Sequence, residues 1–190
     1  MESQLSGGIL PGMSQVDIPR VAQLTDKLWT GGALPYRSDS ARKVIDSYRK
    51  VGINAILDTR AGCSDAEFVQ EHAPEIDYFS AGVIDGGQRL PESWFAVTTD
   101  WVRERLLEGS GVLVHCSEGL NRGPSAAFAV LLTLGWDPTD ALELIRDKLP
   151  RATVSYAEQA VEWHQRLSLI RFNIWRNNDR LSRVRSIRDF

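Results

Sequence analysis

The sequence is poor in the residues that build metal centres or covalent scaffolds. Its 190 residues include two cysteines, three histidines and two methionines. Two cysteines cannot make the disulfide framework of a small secreted domain. His72, His115 and His164 are scattered and show no metal-ligand spacing. No stretch reaches the roughly 18 consecutive apolar residues of a membrane span. The start of the chain carries Glu2 and no long apolar segment, so it does not read as a signal peptide. A cytoplasmic location is expected. Internal repeats and low-complexity segments are also lacking.

What is present suits one globular domain: 43% hydrophobic residues, 25% charged residues and six tryptophans are enough for a single core. The net charge of −3 hides an asymmetry. Seven arginines and two aspartates lie between Arg166 and Phe190, a net of +5, which leaves −8 on the rest. An Arg-rich end on an acidic body points to an anionic partner or to a dock on the body itself. Residues 1–19, rich in Gly, Ser and Pro, read as a flexible N-terminal arm. Residues 20–175 read as the folded domain and 176–190 as a basic tail. Leu181, Val184 and Ile187 in that tail sit at helical spacing.

Along the domain, strand and helix patterns alternate. Val21–Leu24 and Leu28–Thr30 read as short strands, broken by Gly31-Gly32. A helix with Ser38 or Asp39 as its cap runs to Lys50 and ends at Gly52. Ile53–Asp58 is a strand, Ser64–His72 a short helix capped by Ser64, and Ile76–Val83 a further strand. Pro91 opens a helix to Glu108 that buries Trp94, Phe95, Val97, Trp101, Val102 and Leu106. Asp137 caps a helix to Lys148 with Ala141, Leu142, Leu144 and Ile145 as its apolar set. Thr153 or Ser155 caps a last helix with Val161, Trp163, Leu167, Ile170 and Ile174. The expected fold class is α/β, a central and largely parallel sheet flanked by helices.

The centre of the sequence is Gly111-Val112-Leu113-Val114-His115-Cys116-Ser117-Glu118-Gly119-Leu120-Asn121-Arg122-Gly123-Pro124-Ser125, followed by the apolar run from Ala126 to Leu132. It reads as a buried strand, a tight loop and a buried helix. Such a loop turns its amides toward an anion, and the helix N-terminus adds unpaired donors and the positive end of a dipole. Arg122 supplies a planar fork that can hold two phosphate oxygens. A thiol at such a helix entry is the kind that ionises, and a thiolate beneath a bound phosphate is a nucleophile aimed at phosphorus.

The motif His115-Cys116-x5-Arg122 resembles the signature loop of cysteine-dependent protein tyrosine phosphatases. Glu118, two residues after the cysteine, is similar to the small dual-specificity members. Leu28-Trp29-Thr30-Gly31-Gly32-Ala33 resembles their first hairpin. The resemblance implies a protein tyrosine phosphatase-like fold and a phosphoric monoester hydrolase with a phosphocysteine intermediate. It implies Cys116 as nucleophile and Arg122 as phosphoryl ligand, with Ser117, Glu118, Gly119, Leu120 and Asn121 completing the phosphate loop and Glu118 bracing Arg122. No metal or cofactor is implied. Phosphotyrosine is the expected substrate, with phosphoserine and phosphothreonine in the wider range. Asn121-Arg122 is also similar to phosphatases of RNA 5′ ends. Two rivals stand beside these: phosphoinositide hydrolysis and a non-catalytic phosphate-binding module.

A proton donor is needed for the leaving oxygen. Asp85 stands 31 residues before Cys116, between a strand and a helix, and is followed by two glycines. This resembles the family's general-acid spacing; Asp65 and Asp77 are weaker rivals. Arg60 can assist with substrate charge or form a structural pair with Asp58. Tyr36 can line a substrate cleft, and Trp29 can either join it there or pack in the core. One departure stands out: the family's usual hydroxyl residue after the arginine is Gly123 here, which puts the assisted departure of the thiolate in doubt. Cys63 should share a sheet edge with Cys116, since both follow parallel strands. Some lipid phosphatases of this superfamily protect the oxidised nucleophile with a second cysteine in the corresponding loop, which makes Cys63 a redox-partner candidate.

Overall fold

In the computed structural model, described for Ile18 and residues 20–170, ten labelled elements follow one another. They are β1 (Val21–Thr25), β2 (Leu28–Gly31), α1 (Ser38–Val51), β3 (Ile53–Arg60), α2 (Ala66–His72), β4 (Asp77–Val83), α3 (Glu92–Leu107), β5 (Gly111–His115), α4 (Arg122–Thr133) and α5 (Pro138–Lys148). A last helix, α6, covers described residues 157–170. Ile174, the basic tail and all of the arm except Ile18 lie outside the described residues.

The strands form one sheet in the order β1-β2-β5-β3-β4. The β1–β2 hairpin is antiparallel and every other pair is parallel. Side chains alternate across the sheet, so each strand feeds two cores. Val112 and Val114 join Leu28, Ala55 and Leu57 against α3, α4, α5 and α6 on one face. Leu113 joins Trp29, Ile53 and Ile56 against α1 and α2 on the other. Helix α4 packs in the middle of the first layer, and all ten residues from Gly123 to Leu132 are buried, which accounts for its Ala- and Leu-rich composition. Ile18, expected in a flexible arm, is buried in the second core, and its carbonyl accepts a hydrogen bond from Val21 N.

Several local expectations shift. Helix α1 starts one residue early, with Arg37 at its N-cap and no capping side chain, so Ser38 and Asp39 fall inside the first turn. Asp65, not Ser64, is the N-cap residue of α2, although Ser64 Oγ does accept from Ala66 N. Val97 is exposed, because the buried stripe of α3 runs through Trp94, Phe95, Thr98, Thr99 and Val102 and leaves it on the far side. Ile170 is exposed too. His72 is half-buried, with its ring edge against Phe68 at 4.3 Å. Neither Thr153 nor Ser155 caps α6. Ser155 Oγ donates to Thr153, whose hydroxyl donates to Leu120 O, so both hydroxyls are engaged by the chain around the 116–122 loop.

A buried charge cluster lies between α2 and the carboxyl ends of β3 and β5. Arg60 clasps Asp58 through Nε and Nη2, at 2.9 and 2.8 Å, and reaches Asp65 at 2.9 Å. Tyr78 donates to Asp58 at 2.7 Å, and Leu34 N donates to Asp65 at 3.0 Å. This satisfies the structural reading of Arg60 and leaves its fork no freedom for substrate. Burial alone would raise the Asp58 carboxyl, yet the Arg60 fork, with His115 and Tyr78, holds it below its ordinary value. Its contribution to stability is therefore complete above the ordinary carboxylate pKa and is lost only as pH falls through the lowered native one. Asp58→Ala should destabilise the fold by about 3 kcal/mol, the lower end for a broken buried pair, because Asp65 still faces Arg60. Urea unfolding at neutral pH measures the loss.

Candidate active site

The loop after β5 is shaped by neighbours that approach its main chain closely. Gly119, at φ 73°, packs so tightly on the end of β2 that a Cβ there would lie 2.6 Å from Gly31 C and 2.8 Å from Gly32 N. Ala33 N donates to Ser117 O at 3.1 Å, and Cys116 N donates to Gly31 O at 3.2 Å. On the opposite side Thr153 N donates to Leu120 O at 2.8 Å. In a trans peptide the carbonyl and the following N–H point opposite ways. Bonding Ser117 O and Leu120 O to surrounding segments thus turns the Glu118 and Asn121 amides away from those segments.

Cys116 is buried at 3% exposure, at the carboxyl end of the central strand. His115 behind it is buried, and burial pushes its imidazole below the ordinary value against the opposing pull of Asp58. Its Nδ1 lies 3.2 Å from Cys116 O, a group that only accepts, so Nδ1 carries the proton. Thr59 Oγ1 and Thr30 Oγ1 donate to the His115 and Val114 carbonyls and fix this strand end.

Arg122 opens α4 and folds back over the loop. Its Nη2 donates to Ser117 Oγ at 3.4 Å and its Nη1 to Val83 O at 3.0 Å. Its Nε lies 3.3 Å from Asp85 Oδ2, an ion-pair contact without an aligned hydrogen bond. Asp85 is thus brought to the loop. Asn121 Nδ2 donates to Asp85 Oδ1 at 2.7 Å, while Asn121 Oδ1 accepts from Ser155 N at 2.7 Å. The rivals for the acid are engaged elsewhere: Asp65 with Arg60 and Leu34, and Asp77 with Arg105 at 2.5 Å.

Glu118 does not brace Arg122. It pairs with Arg20 at 3.1 Å, and the Arg20 guanidinium also donates to Ser117 O and lies over Gly32. The reason is geometric: Asp85 already occupies the carboxylate position beside Arg122. Trp29 belongs to the core, and Tyr36 is fully exposed. Cys63 is an exposed free thiol in the loop after β3, whose Asp58 is in register with His115. Sequence reasoning missed Arg20 and Tyr156. Arg20 directly follows the segment read as an arm and carries no motif of its own. Tyr156 gave no polar signal, since a lone tyrosine before an apolar helix reads as core.

No protein-family model matches the chain. Over 122 residues it is 22% identical to dual specificity protein phosphatase 8 of Homo sapiens, a match covering 63% of this chain and 19% of that protein. The chain therefore spans about a fifth of the length of the curated relatives it matches. A mouse putative dual specificity phosphatase, solved with zinc tungstate, superimposes with a TM-score of 0.66 at 18% identity, covering 84% of this chain and 96% of that one. PTPMT1 in complex with PI(5)P gives 0.63 at 16% identity, covering 79% and 97%. The chain has the protein tyrosine phosphatase-like fold and is similar in sequence to dual-specificity members.

Gly123 has a packing role that its sequence position concealed. A Cβ there would stand 2.9 Å from His115 C and 3.0 Å from Cys116 N, both main-chain atoms. Gly123→Ser, which would supply the family's usual hydroxyl, should instead shift the loop. The expected result is a stability loss of about 1–3 kcal/mol from overpacking, together with weaker binding of inorganic phosphate. Thermal unfolding and phosphate titration check this.

Proposed function

We propose that the protein is a cysteine-dependent phosphatase that hydrolyses phosphate monoesters, phosphotyrosine first and phosphoserine or phosphothreonine in the wider range. The observation that carries this reading is the meeting of three groups at one loop. Cys116 lies at its start and Arg122 at its end, and Asp85 is held 3.3 Å from Arg122 Nε.

In the first step the Cys116 thiolate forms a bond to phosphorus as the ester P–O bond breaks. Asp85, protonated, gives its proton to the leaving oxygen. Inward amides of the loop and the Arg122 fork hold the three remaining oxygens, where charge stabilisation and positioning supply most of the rate. In the second step Asp85, now a carboxylate, takes a proton from water as that water attacks phosphorus. The S–P bond breaks, and thiolate and inorganic phosphate are regenerated. With no hydroxyl at position 123, Ser125 is the nearest in sequence, but it is buried and faces Asn121 Oδ1 at 3.5 Å. Cys63 stands as the redox partner by position alone, and peroxide treatment with and without it tests that role.

The solved complex of PTPMT1 with PI(5)P supports a second reading, a phosphoinositide substrate. The composition of this loop argues the other way. Between Cys116 and Arg122 its only charged side chain is Glu118, and the nearby cation, Arg20, is already paired with it. The described loop segment between Cys116 and Arg122 therefore offers a headgroup with several phosphates no cation of its own.

Two variants test the chemistry. Cys116→Ser should lose p-nitrophenyl phosphate turnover by a factor of at least about 10³ while still binding phosphate, because an un-ionised hydroxyl is a poor nucleophile. Retained turnover would rule out the thiolate. Asp85→Asn should slow phenyl phosphate by roughly 10²-fold or more, leave activated aryl phosphates nearly unchanged, and remove the alkaline fall of the pH–rate curve. Equal effects across leaving groups would place the acid elsewhere.

A further inference from the structure

Tyr156 lies just before α6 and is 1% exposed, yet its hydroxyl is not idle. Gly87 N donates to Tyr156 Oη at 3.3 Å, and Oη lies 3.3 Å from Asp85 Oδ1. The Gly87 amide can only donate, so the tyrosine oxygen accepts there and its own proton is free to point at Asp85. Oδ1 then receives two donors, Tyr156 Oη–H and Asn121 Nδ2–H. The other oxygen, Oδ2, faces Arg122.

We propose that Tyr156 is a positioning residue for the acid: with Asn121 it occupies Oδ1 of Asp85, so that the transferable proton is carried on Oδ2, the oxygen turned toward the phosphate site. This rests on the phosphatase reading given above. In the first step the Oδ2–H bond breaks and its proton goes to the leaving oxygen as the P–O bond breaks, while Oδ1 keeps both donors throughout. In the second step the proton taken from water returns to Oδ2. The groups facing the Asp85 carboxyl are Arg122 and Asn121 from the loop and head of α4, and Tyr156 from the turn before α6. Burial, with Asp85 beside it, pushes the Tyr156 hydroxyl above its ordinary value, so it keeps the proton it donates.

The same region holds the rest of the acid loop. Leu90 N donates to Gln159 Oε1 at 2.8 Å, and Arg89 pairs with Glu162 at 2.6 Å. These contacts anchor the loop, but none of them touches Asp85. The hydroxyl of Tyr156 is therefore the contact from this side that selects an oxygen of the acid.

The test is Tyr156→Phe, which keeps the buried ring and leaves Gly87, itself exposed, to water. Wild type, Tyr156→Phe, Asp85→Asn and the double variant are assayed on a series of aryl phosphates of rising leaving-group pKa. The expected result for Tyr156→Phe is a kcat lower by roughly 3- to 10-fold on phenyl phosphate, the scale of one hydrogen bond. Its KM and its rate on activated esters should be unchanged, and in the Asp85→Asn background the substitution should have no further effect. A uniform loss across the series, or an undiminished loss in the Asp85→Asn background, would overturn the proposal and reduce Tyr156 to packing. Wild type without turnover on any ester would overturn the phosphatase reading itself, and the proposal with it. Wild-type turnover that Asp85→Asn reduces for poor leaving groups, but Tyr156→Phe does not, would overturn the proposal alone.

Discussion

The site depends on how closely main chain can approach main chain at the carboxyl edge of the sheet. Gly119 lies against the end of β2 at a distance no side chain could share, and Gly123 lies against the end of β5 in the same way. Between these two pinch points the loop has little choice of path. Its carbonyls at Ser117 and Leu120 are drawn into hydrogen bonds with Ala33 and Thr153. Each bonded carbonyl turns the next amide the other way. The amides turned away from the neighbouring segments are thus a by-product of tight packing.

Arg122 in turn links the loop to the end of β4 and to Asp85, the proposed acid. Its fork reaches Val83 O at the end of β4, Asp85 two residues later, and Ser117 beside the nucleophile. The carboxylate next to it fills the place that Glu118 was expected to take, and Glu118 is left to pair with Arg20 at the rim. The two ion pairs differ in kind. Arg20 and Glu118 are 47% and 70% exposed, and such a pair is worth little to stability. Arg122 is only 12% exposed, and it holds Asp85 beside the loop.

Much of this was legible in the chain. The strand–loop–helix around Cys116 announced itself because a buried strand, a glycine loop and a fully apolar helix have distinct patterns, and the structure reproduces all three. Asp85, singled out for its place after a strand and before two glycines, does lie beside Arg122. The parallel sheet followed from alternation of strand and helix. What was not legible depends on contacts between distant segments. Arg20 reaches Ser117 across 97 positions and Tyr156 reaches Asp85 across 71. No periodicity reports such a pair. Gly123 misled for a related reason: it looked like a missing hydroxyl, whereas the space beside it is taken by His115 and Cys116. The caps of α1 and α2 were read one residue off, whereas Asp137 caps α5 as read, its carboxylate accepting from Thr139 N and Asp140 N.

On the proposed reading, the Asp85 carboxylate beside Arg122 has a consequence for the order of events. An arriving phosphate dianion and the Asp85 carboxylate compete for one guanidinium, and two like charges at that spacing repel. Protonating Asp85 removes the repulsion and leaves Arg122 to the phosphate, and a protonated Asp85 is also the form that can act as acid. In that reading the substrate and the acid are linked through one side chain, Arg122. Arg122 is tied to Val83 O as well, at the end of β4. This is why a departure from the family's usual residue at position 123 need not disable the first half of the reaction. In that reading the groups assigned to phosphate binding and proton delivery touch each other directly, through the Arg122–Asp85 contact, and that contact does not involve position 123.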